Sequence, residues 1–304
     1  MQRKLIKQGL GGYTVYLPKK WLDRKGLKKG DHVDIVETDT ALIIGSPAKG
    51  KKEISVQITD ENKKDVLNIL THLYRRGFDA IVLKGTDKQI ANEAKTVTNE
   101  LLLGFELTER KENECRIENV SEPAEQKYDV LLRRVFLLIK ETQNAILNDF
   151  EENKFESSAE ISEFRKQQDK YILFCRRALA KEKYQKEPEL EWEVLTFLMH
   201  IEHAYFYLHK YASANKPEKD KNVIEMLKHL QDYFELFYNA YFSKDIKYIH
   251  KINNLKKEYQ FGKCIDLIEK GKNPVVFSYI REIFRLVQIG TSPILAELFE
   301  AELY

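Results

Sequence analysis

The sequence of 304 residues predicts an α+β protein, and two contrasting patterns indicate this fold class. Up to about residue 120, short runs of alternating apolar and polar residues lie between glycine-containing turns, which is typical of strands. From about residue 125, apolar residues recur every three or four positions over long stretches, which is typical of packed helices. A chain of this length exceeds one ordinary domain, so we expect two or three.

The first fifty residues predict the element order β-β-α-β-β. Gly9, Gly11 and Gly12 form a turn in which positive φ angles are tolerated. A short helix is expected to begin after Pro18 and to end at Gly26. The four predicted strands cover residues 4–8, 13–17, 32–37 and 41–44, with a tight connection at 38–40.

This N-terminal segment has too few apolar residues to form a stable core within one chain. We expect a second copy to cover them, so the sequence predicts a homodimer or a higher oligomer with an even number of chains. The apolar residues concerned are Leu5, Val15, Leu17, Trp21, Leu22, Val33, Ile35, Leu42 and Ile44.

Positive charge is concentrated at the N-terminus, although the whole chain carries a formal net charge of only +2. Residues 1–52 contain 12 lysines and arginines against 5 acidic residues, whereas the remaining residues contain 38 against 43. Such asymmetry favours contact with a nucleic acid or an anionic surface. A solvated basic face is the alternative that composition alone leaves open.

A family motif lies in this basic N-terminal segment. The segment reads RKLIKQGLGGYTVYLPKKWLDRKGLKKGDHVDIVE. It contains a basic strand, a glycine turn, a second strand ending in Leu-Pro-Lys, a basic helix and a Gly-Asp turn. This order resembles the AbrB/MazE/SpoVT swapped-hairpin family, in which two chains interleave their hairpins into one DNA-binding barrel. The resemblance implies a dimeric N-terminal β barrel over residues 1–48. The longer glycine turn and the Tyr13 and Tyr16 pair depart from the family pattern, so no base sequence preference is implied.

The resemblance implies double-stranded DNA as the partner, bound through basic side chains. Lysines neutralise phosphates and release counterions, whereas arginine offers the planar fork suited to a guanine edge. The predicted DNA-contacting residues are Arg3, Lys4, Lys7, Lys19, Lys20, Arg24 and Lys25.

Residues 52–121 predict a small α/β segment in the order β-α-β-α-β-β, after a linker at 46–52. This segment contains no phosphate-binding glycine loop, no dinucleotide fingerprint and no clustered acids. We expect a packing or dimerisation module, with a small-ligand sensor as the alternative. The predicted helices cover 61–76 and 88–103, and the predicted strands cover 53–58, 78–83, 105–110 and 115–120.

Residues 125–304 predict an all-α domain of two sets of three long helices, at about 125–214 and 220–304. After a first helix containing 131–150, the predicted helices cover 162–183, 189–212, 222–242, 246–269 and 274–302. The segments YDVLLRRVFLLIKETQNAILNDF and VIEMLKHLQDYFELFYNAYF resemble the PhoU family, a pair of three-helix bundles linked to the control of phosphate uptake. A swapped-hairpin head joined to a PhoU-like body is an archaeal-type architecture of phosphate uptake regulators.

The PhoU family holds its metal clusters on acidic pairs one helical turn apart. Here each pair has lost a member, because Arg165 precedes Asp169 and Asn254 precedes Glu258 at that spacing. We therefore expect no cofactor, and we expect the remaining acids to form salt bridges or hydrogen bonds. The residues that could still ligate a metal are Asp169, His200, Glu202, His203 and Glu258.

These features together predict a DNA-binding transcriptional regulator of phosphate uptake that is not an enzyme. The alternative is a PhoU-like adaptor that binds a phosphate transporter or a histidine kinase, with the N-terminal segment serving mainly to dimerise. The sequence has no apolar run of about 18 residues, no leader pattern and no CxxC pair among Cys115, Cys175 and Cys264. We therefore expect a cytoplasmic protein without membrane insertion, whose reduced thiols pack as small apolar groups.

Overall fold

A computed structural model describes residues 3–9, 11–37, 42–45, 51–121, 127–181 and 187–302. The chain divides into two compact units, Met1–Lys51 and Lys52–Tyr304. The first contains short strands and one short helix, and the second contains a four-stranded sheet and the long helices. The α+β class is therefore confirmed, with a helical C-terminal region and small N-terminal strands.

Two hairpins flank a short helix in the first unit. β1 (Ile6–Gln8) pairs antiparallel with β2 (Gly12–Thr14), and β3 (Asp34–Glu37) pairs antiparallel with β4 (Leu42–Gly45). Between them lies α1 (Lys19–Lys25). The expected order β-β-α-β-β is thus present in the described residues, whereas the predicted connection at 38–40 and most of the predicted linker lie outside them.

The strand predicted over 13–17 is wrong in its second half, because β2 ends at Thr14. The strand predicted over 4–8 is also shorter, since pairing begins with Ile6 opposite Thr14. A β-strand exists only where a neighbour accepts and donates its backbone hydrogen bonds. Within one chain, no described strand pairs with Val15 or the two residues after it.

Glycine ends α1 as the sequence predicts. Gly26 takes a left-handed conformation with φ 66°, and the Leu27 N–H donates to the Leu22 carbonyl oxygen at 3.0 Å. Leu27 is 8 % exposed and is the one residue of the described N-terminal unit that is buried. The chain then turns at Gly30, where the Asp31 carboxylate accepts a hydrogen bond from the Lys28 N–H at 2.8 Å.

The second unit begins with a sheet in the order β5-β6-β8-β7. Its parallel pair is β5 (Glu53–Gln57) with β6 (Ala80–Lys84), and its hairpin is β7 (Phe105–Lys111) with β8 (Glu114–Asn119). β6 and β8 pair antiparallel in the centre. β6 is apolar and buried over its first four residues, as expected for a central strand.

Two helices cover this sheet, α2 (Val66–Arg75) and α3 (Lys88–Leu101). The helix predicted from residue 61 begins later because the Asn62 side chain organises a turn. Its amide oxygen accepts from the Thr59 N–H at 2.8 Å, and its amide nitrogen donates to the Gln57 carbonyl oxygen. Such side-chain bonds compete with helical backbone bonds.

The long helices share one continuous core. Helices α4, α5 and α6 pack against one another, and we call them the first helical bundle, whereas α10 packs against both α6 and α7. The helices are α4 (Lys127–Glu152), α5 (Ser158–Ala180), α6 (Pro188–Asn215), α7 (Lys221–Ser243), α8 (Ile246–Glu258), α9 (Cys264–Lys270), α10 (Pro274–Ile289) and α11 (Thr291–Glu302).

The last two predicted helices are each interrupted. The stretch Tyr259–Lys263 is a π-helical turn between α8 and α9, and its Gln260 carbonyl oxygen accepts a hydrogen bond from Arg281 Nε at 3.1 Å. The other break falls at Gly290, where a Cβ atom would lie 3.2 Å from Phe197 Cβ. Apolar periodicity continues through both breaks, so it could not reveal them.

All three cysteines are free and buried, which confirms the expectation that they pack as apolar groups. Burial raises the pKa of Cys115, and it raises the pKa of Cys264 to about 12. Neither thiol is therefore prone to ionise near neutral pH. Among the helices that the structure describes, none combines the length and the apolar character needed to cross a membrane.

One buried arginine joins the α/β segment to the first helical bundle. Arg177 of α5 donates to the Tyr74 and Phe78 carbonyl oxygens at 3.2 and 2.6 Å, and to the Asp79 carboxylate at 2.8 Å. Burial raises the pKa of Asp79, but hydrogen bonds from Lys181 and Lys52 and the nearby positive charges outweigh it, so the pKa is below its usual value. Arg177 is 2 % exposed, so these bonds lie away from water.

We predict that Arg177→Met destabilises the protein by about 3–5 kcal/mol, because it removes a buried charge together with its hydrogen bonds to two carbonyl oxygens and to the Asp79 carboxylate. The free energy of unfolding in urea, followed by circular dichroism, measures the effect. Arg134→Met is the matched control, since the Arg134–Glu141 pair has side chains 39 % and 37 % exposed. That change should cost less than about 1 kcal/mol. Equal losses in the two variants would contradict the role given to Arg177.

Candidate nucleic-acid interface

The seven predicted DNA-contacting residues are all exposed side chains of the N-terminal unit. Arg3 and Lys4 precede β1, Lys7 lies on it, and the remaining four lie on α1. Lys20 and Arg24 are one helical turn apart, so their side chains share one face of α1. No ion pair joins any of the seven to an acid within the described residues, so their charges face solvent.

The cations of α1 also have a local structural role. Arg24 and Lys25 occupy the last turn of the helix, where positive charge interacts favourably with the carbonyl end of the helix dipole. No acidic residue lies in its first turn. This stabilisation is small for exposed groups. The same side chains can therefore also contact a partner.

The apolar side chains of this unit are exposed in a single copy of the chain. The exposed fraction is 71 % for Leu5, 73 % for Tyr16 and 65 % for Leu42. Ile6, Tyr13, Val15 and Ile35 are also exposed. Monomeric proteins rarely leave most of the large apolar residues of a folded unit in water.

An open cleft of about 450 Å³ lies between α1, the two residues before it and Ile44 of β4. Sequence reasoning did not find this cleft, because it depends on how residues distant in the chain pack together. Its lining is mostly apolar, with two of the predicted DNA-contacting cations at its edge. The lining residues are Leu17, Pro18, Lys20, Trp21, Arg24 and Ile44.

The candidate metal ligands lie in the helical region, and only some of them are close together. His203 Nε2 of α6 lies 3.0 Å from Asp169 Oδ1 of α5, and the neighbouring Glu202 is fully buried. His200 is exposed on α6, and Glu258 instead forms an ion pair with Lys263 at 3.6 Å. Asp169 and Glu258 thus make the hydrogen bonds and salt bridges expected of acids without a metal.

The donor set does not fit a multinuclear metal centre. Arg165 Nε lies 3.9 Å from Asp169 Oδ2, so a cation stands beside the carboxylate that would have to bind the metal. In the part of the chain that the structure describes, no group of three or more His, Cys, Asp or Glu residues is arranged to hold a metal ion.

A buried polar layer surrounds Glu202 instead. Thr142 Oγ1 donates to Glu202 Oε1 at 2.8 Å, whereas Glu202 Oε2, Gln168 Oε1 and Arg165 Nε have no hydrogen-bond partner among the described residues. Burial raises the pKa of Glu202 to about 8, and the negative charge of Asp169 adds to this shift. The sequence does carry a signal for this layer, because Thr142 interrupts the apolar spacing of α4.

We predict that Glu202→Gln removes part of the pH dependence of stability. The folded protein binds the Glu202 proton up to about pH 8, whereas the unfolded chain releases it near its ordinary pKa of 4.5. The wild type therefore loses stability as pH rises through this window, and the neutral amide does not. The melting temperatures should be similar at pH 5, and the variant should melt at the higher temperature at pH 9.

The control is Glu141→Gln, which neutralises a half-exposed carboxylate on α4. The difference in melting temperature between this variant and the wild type should not shift in favour of the variant as pH rises. A Glu202→Gln difference that stayed constant from pH 5 to pH 9 would show that Glu202 is ionised in the folded protein throughout this range.

Comparison of this chain with models of known protein families, with curated proteins and with solved structures finds no match in any of the three. The likeness to the AbrB and PhoU families therefore rests on the motifs quoted from the sequence.

Proposed function

We propose that the protein is a DNA-binding transcriptional regulator in which two N-terminal units contact double-stranded DNA. The observation that supports this most directly is a set of seven exposed cations that form no ion pair with the described acids, on a unit whose described residues have almost no core of their own. The proposed process, control of phosphate uptake, comes from the resemblance of the helical region to the PhoU family.

The chemistry of the seven side chains favours DNA over an acidic protein surface. Five are lysines, which neutralise backbone phosphates with little geometric demand. The two arginines, Arg3 and Arg24, offer the planar donor fork that matches a guanine edge. Binding is therefore expected to depend steeply on salt, with a smaller contribution from base contacts.

The dimer is proposed because a second copy provides what the single N-terminal unit lacks. Within the described residues, no strand pairs with Val15 and its neighbours after β2, and the apolar cleft against Trp21 is open. A hairpin from a second copy could supply the missing strand pairing and fill the cleft. Two copies would also double the positive charge available to one duplex.

The helical region would act as the regulatory part of the molecule. In a dimer, a change in that region can alter the relative orientation of the two N-terminal units. DNA half-sites have a fixed spacing, so such a change would alter affinity. This coupling requires a different affinity of an effector or partner for the two arrangements.

We predict that Lys19→Glu combined with Arg24→Glu abolishes DNA binding at moderate salt. Fluorescence anisotropy with a labelled duplex from upstream of the protein's own gene, and with an unrelated duplex, measures the affinity across a salt series. The logarithm of the wild-type binding constant should fall linearly with the logarithm of salt, by roughly 0.9 per phosphate contact.

The matched control is Arg76→Glu combined with Lys95→Glu. It makes the same change in net charge at exposed positions outside the N-terminal unit, and it should retain binding. Tighter binding to the upstream duplex would indicate a specific regulator. Absence of wild-type binding even at low salt would contradict the proposal and favour the adaptor that binds a transporter or a histidine kinase.

We predict that Val15→Asp shifts the protein from dimer to monomer, because it places a charge on an apolar surface that the second copy would cover. Sedimentation velocity measures the mass. The control is Val130→Asp, the same substitution at an exposed valine of α4. It should leave the oligomeric state unchanged. A monomeric wild type, or a Val15→Asp variant that remains dimeric, would contradict this interface.

A further inference from the structure

Two arginines meet at the junction of α2, α5 and α6, and neither has an acidic partner among the described residues. Arg75 lies on α2, Arg176 on α5, and both guanidinium groups contact the ring of Trp192 on α6. The guanidinium carbons lie 5.9 Å and 5.1 Å from the Trp192 ring centroid. We call Arg75, Arg176, Trp192, Thr196 and His72 the Arg75–Arg176 cluster.

Arg176 is 3 % exposed, and its hydrogen bonding is incomplete. One terminal nitrogen donates to Thr196 Oγ1 at 2.8 Å, and Nε has no hydrogen-bond partner in the part of the chain that the structure describes. No carboxylate lies within ion-pair distance of it in the described part of the chain. Burying a charge without a counterion is costly, so such a group normally has a partner.

The neighbouring Arg75 adds positive charge to the same place. Arg75 Nη2 contacts His72 Nδ1 at 2.8 Å, and no described acid forms an ion pair with Arg75. Burial together with the charge of Arg75 lowers the pKa of Arg176 to about 10. Burial and then the charges of both arginines lower the pKa of His72. The two arginines therefore repel each other, and nothing in the cluster offsets the repulsion.

The adjacent residue, Arg177, shows that a buried arginine in this fold can have a carboxylate partner. Arg177 is equally buried, and it donates to the Asp79 carboxylate and to two carbonyl oxygens. The acid whose charge acts on Arg176 is Asp169, which is already engaged by His203 and Arg165. Arg176 thus lacks the kind of partner that the next residue has.

We propose that the Arg75–Arg176 cluster binds a tetrahedral oxyanion of the phosphate type. A phosphate group carries about −1.5 to −2 charge at neutral pH, which matches two guanidinium groups, and its oxygens accept several hydrogen bonds at once. Arg176 Nε and the terminal nitrogens of both arginines supply the donors. A carboxylate carries only one charge and would leave one cation uncompensated.

The cluster includes side chains that reach solvent. Arg75 and Trp192 are only partly buried, and His72 is exposed, so the proposed ion would approach Arg176 from their side. The site lies within residues 52–302 and involves none of the predicted DNA-contacting residues. It therefore stands independently of the proposed function.

Trp192 provides a direct measurement because the chain contains only two tryptophans. Full-length protein carrying Trp21→Phe reports on Trp192 alone. Its fluorescence is followed during titration with inorganic phosphate, with ionic strength held constant by chloride. We expect a saturable change, and we expect Arg75→Gln or Arg176→Gln to raise the phosphate concentration at the midpoint at least tenfold, since each variant removes a charge and its charge-assisted hydrogen bonds.

The control variant is Arg133→Gln, in which the lost guanidinium also contacts an aromatic ring, that of Phe242 at 4.3 Å. It should leave the midpoint unchanged. Arg75 is only partly buried, so its variant tests the proposal even if Arg176→Gln does not fold. A phosphate monoester, glycerol 2-phosphate, is titrated in parallel, and tighter binding than phosphate would identify the phosphate group of a larger molecule as the ligand.

Three results would overturn the proposal. One is no saturable change up to about 10 mM phosphate, a concentration at which even millimolar binding is visible. Another is an unchanged midpoint in Arg75→Gln. The third is acetate binding as tightly as phosphate, because a singly charged planar anion would then satisfy the cluster.

Discussion

The buried guanidinium of Arg177 is the contact on which the arrangement of residues 52–302 depends. It reaches from α5 to the carbonyl oxygens at the end of α2 and to the Asp79 carboxylate at the start of β6. It also lies over the rings of Tyr74 and Phe105, at 5.2 Å and 4.7 Å from their centroids. One turn earlier, Leu173 of the same helix packs into the apolar core of the sheet. A polar and an apolar contact from one helix thus make the sheet and the first bundle a single compact unit.

The two units of the chain differ in how far they bury their own apolar side chains. In the second unit, sheet and helices cover one another, so large side chains such as Phe136, Phe237 and Phe284 are almost fully buried. In the N-terminal unit, Leu27 is buried but Leu5 and Leu42 remain in water. Such a unit can be stable only if something outside it covers these side chains, which is the physical basis of the proposed dimer.

Two buried side chains of the helical region with incomplete hydrogen bonding, Glu202 and Arg176, differ in their charge. Glu202 has one satisfied oxygen and avoids the cost of a buried charge by holding its proton, as its raised pKa shows. Arg176 remains charged near neutral pH, so its cost is offset only by a counterion. This difference explains why the region around Glu202 is interpreted as a structural polar layer and the Arg75–Arg176 cluster as a binding site.

The sequence by itself determined the strand and helix order, the turn at Gly26, the burial of the cysteines and the concentration of charge at the N-terminus, because these depend on local pattern and composition. The tertiary structure decided where β2 stops, where the helix around Gln260 is interrupted and which buried cations have partners. Arg176 and Arg177 are adjacent in sequence, yet only Arg177 meets a carboxylate, since a helix directs consecutive side chains to different faces. Pairing of that kind depends on what packs against each face, which local sequence does not encode.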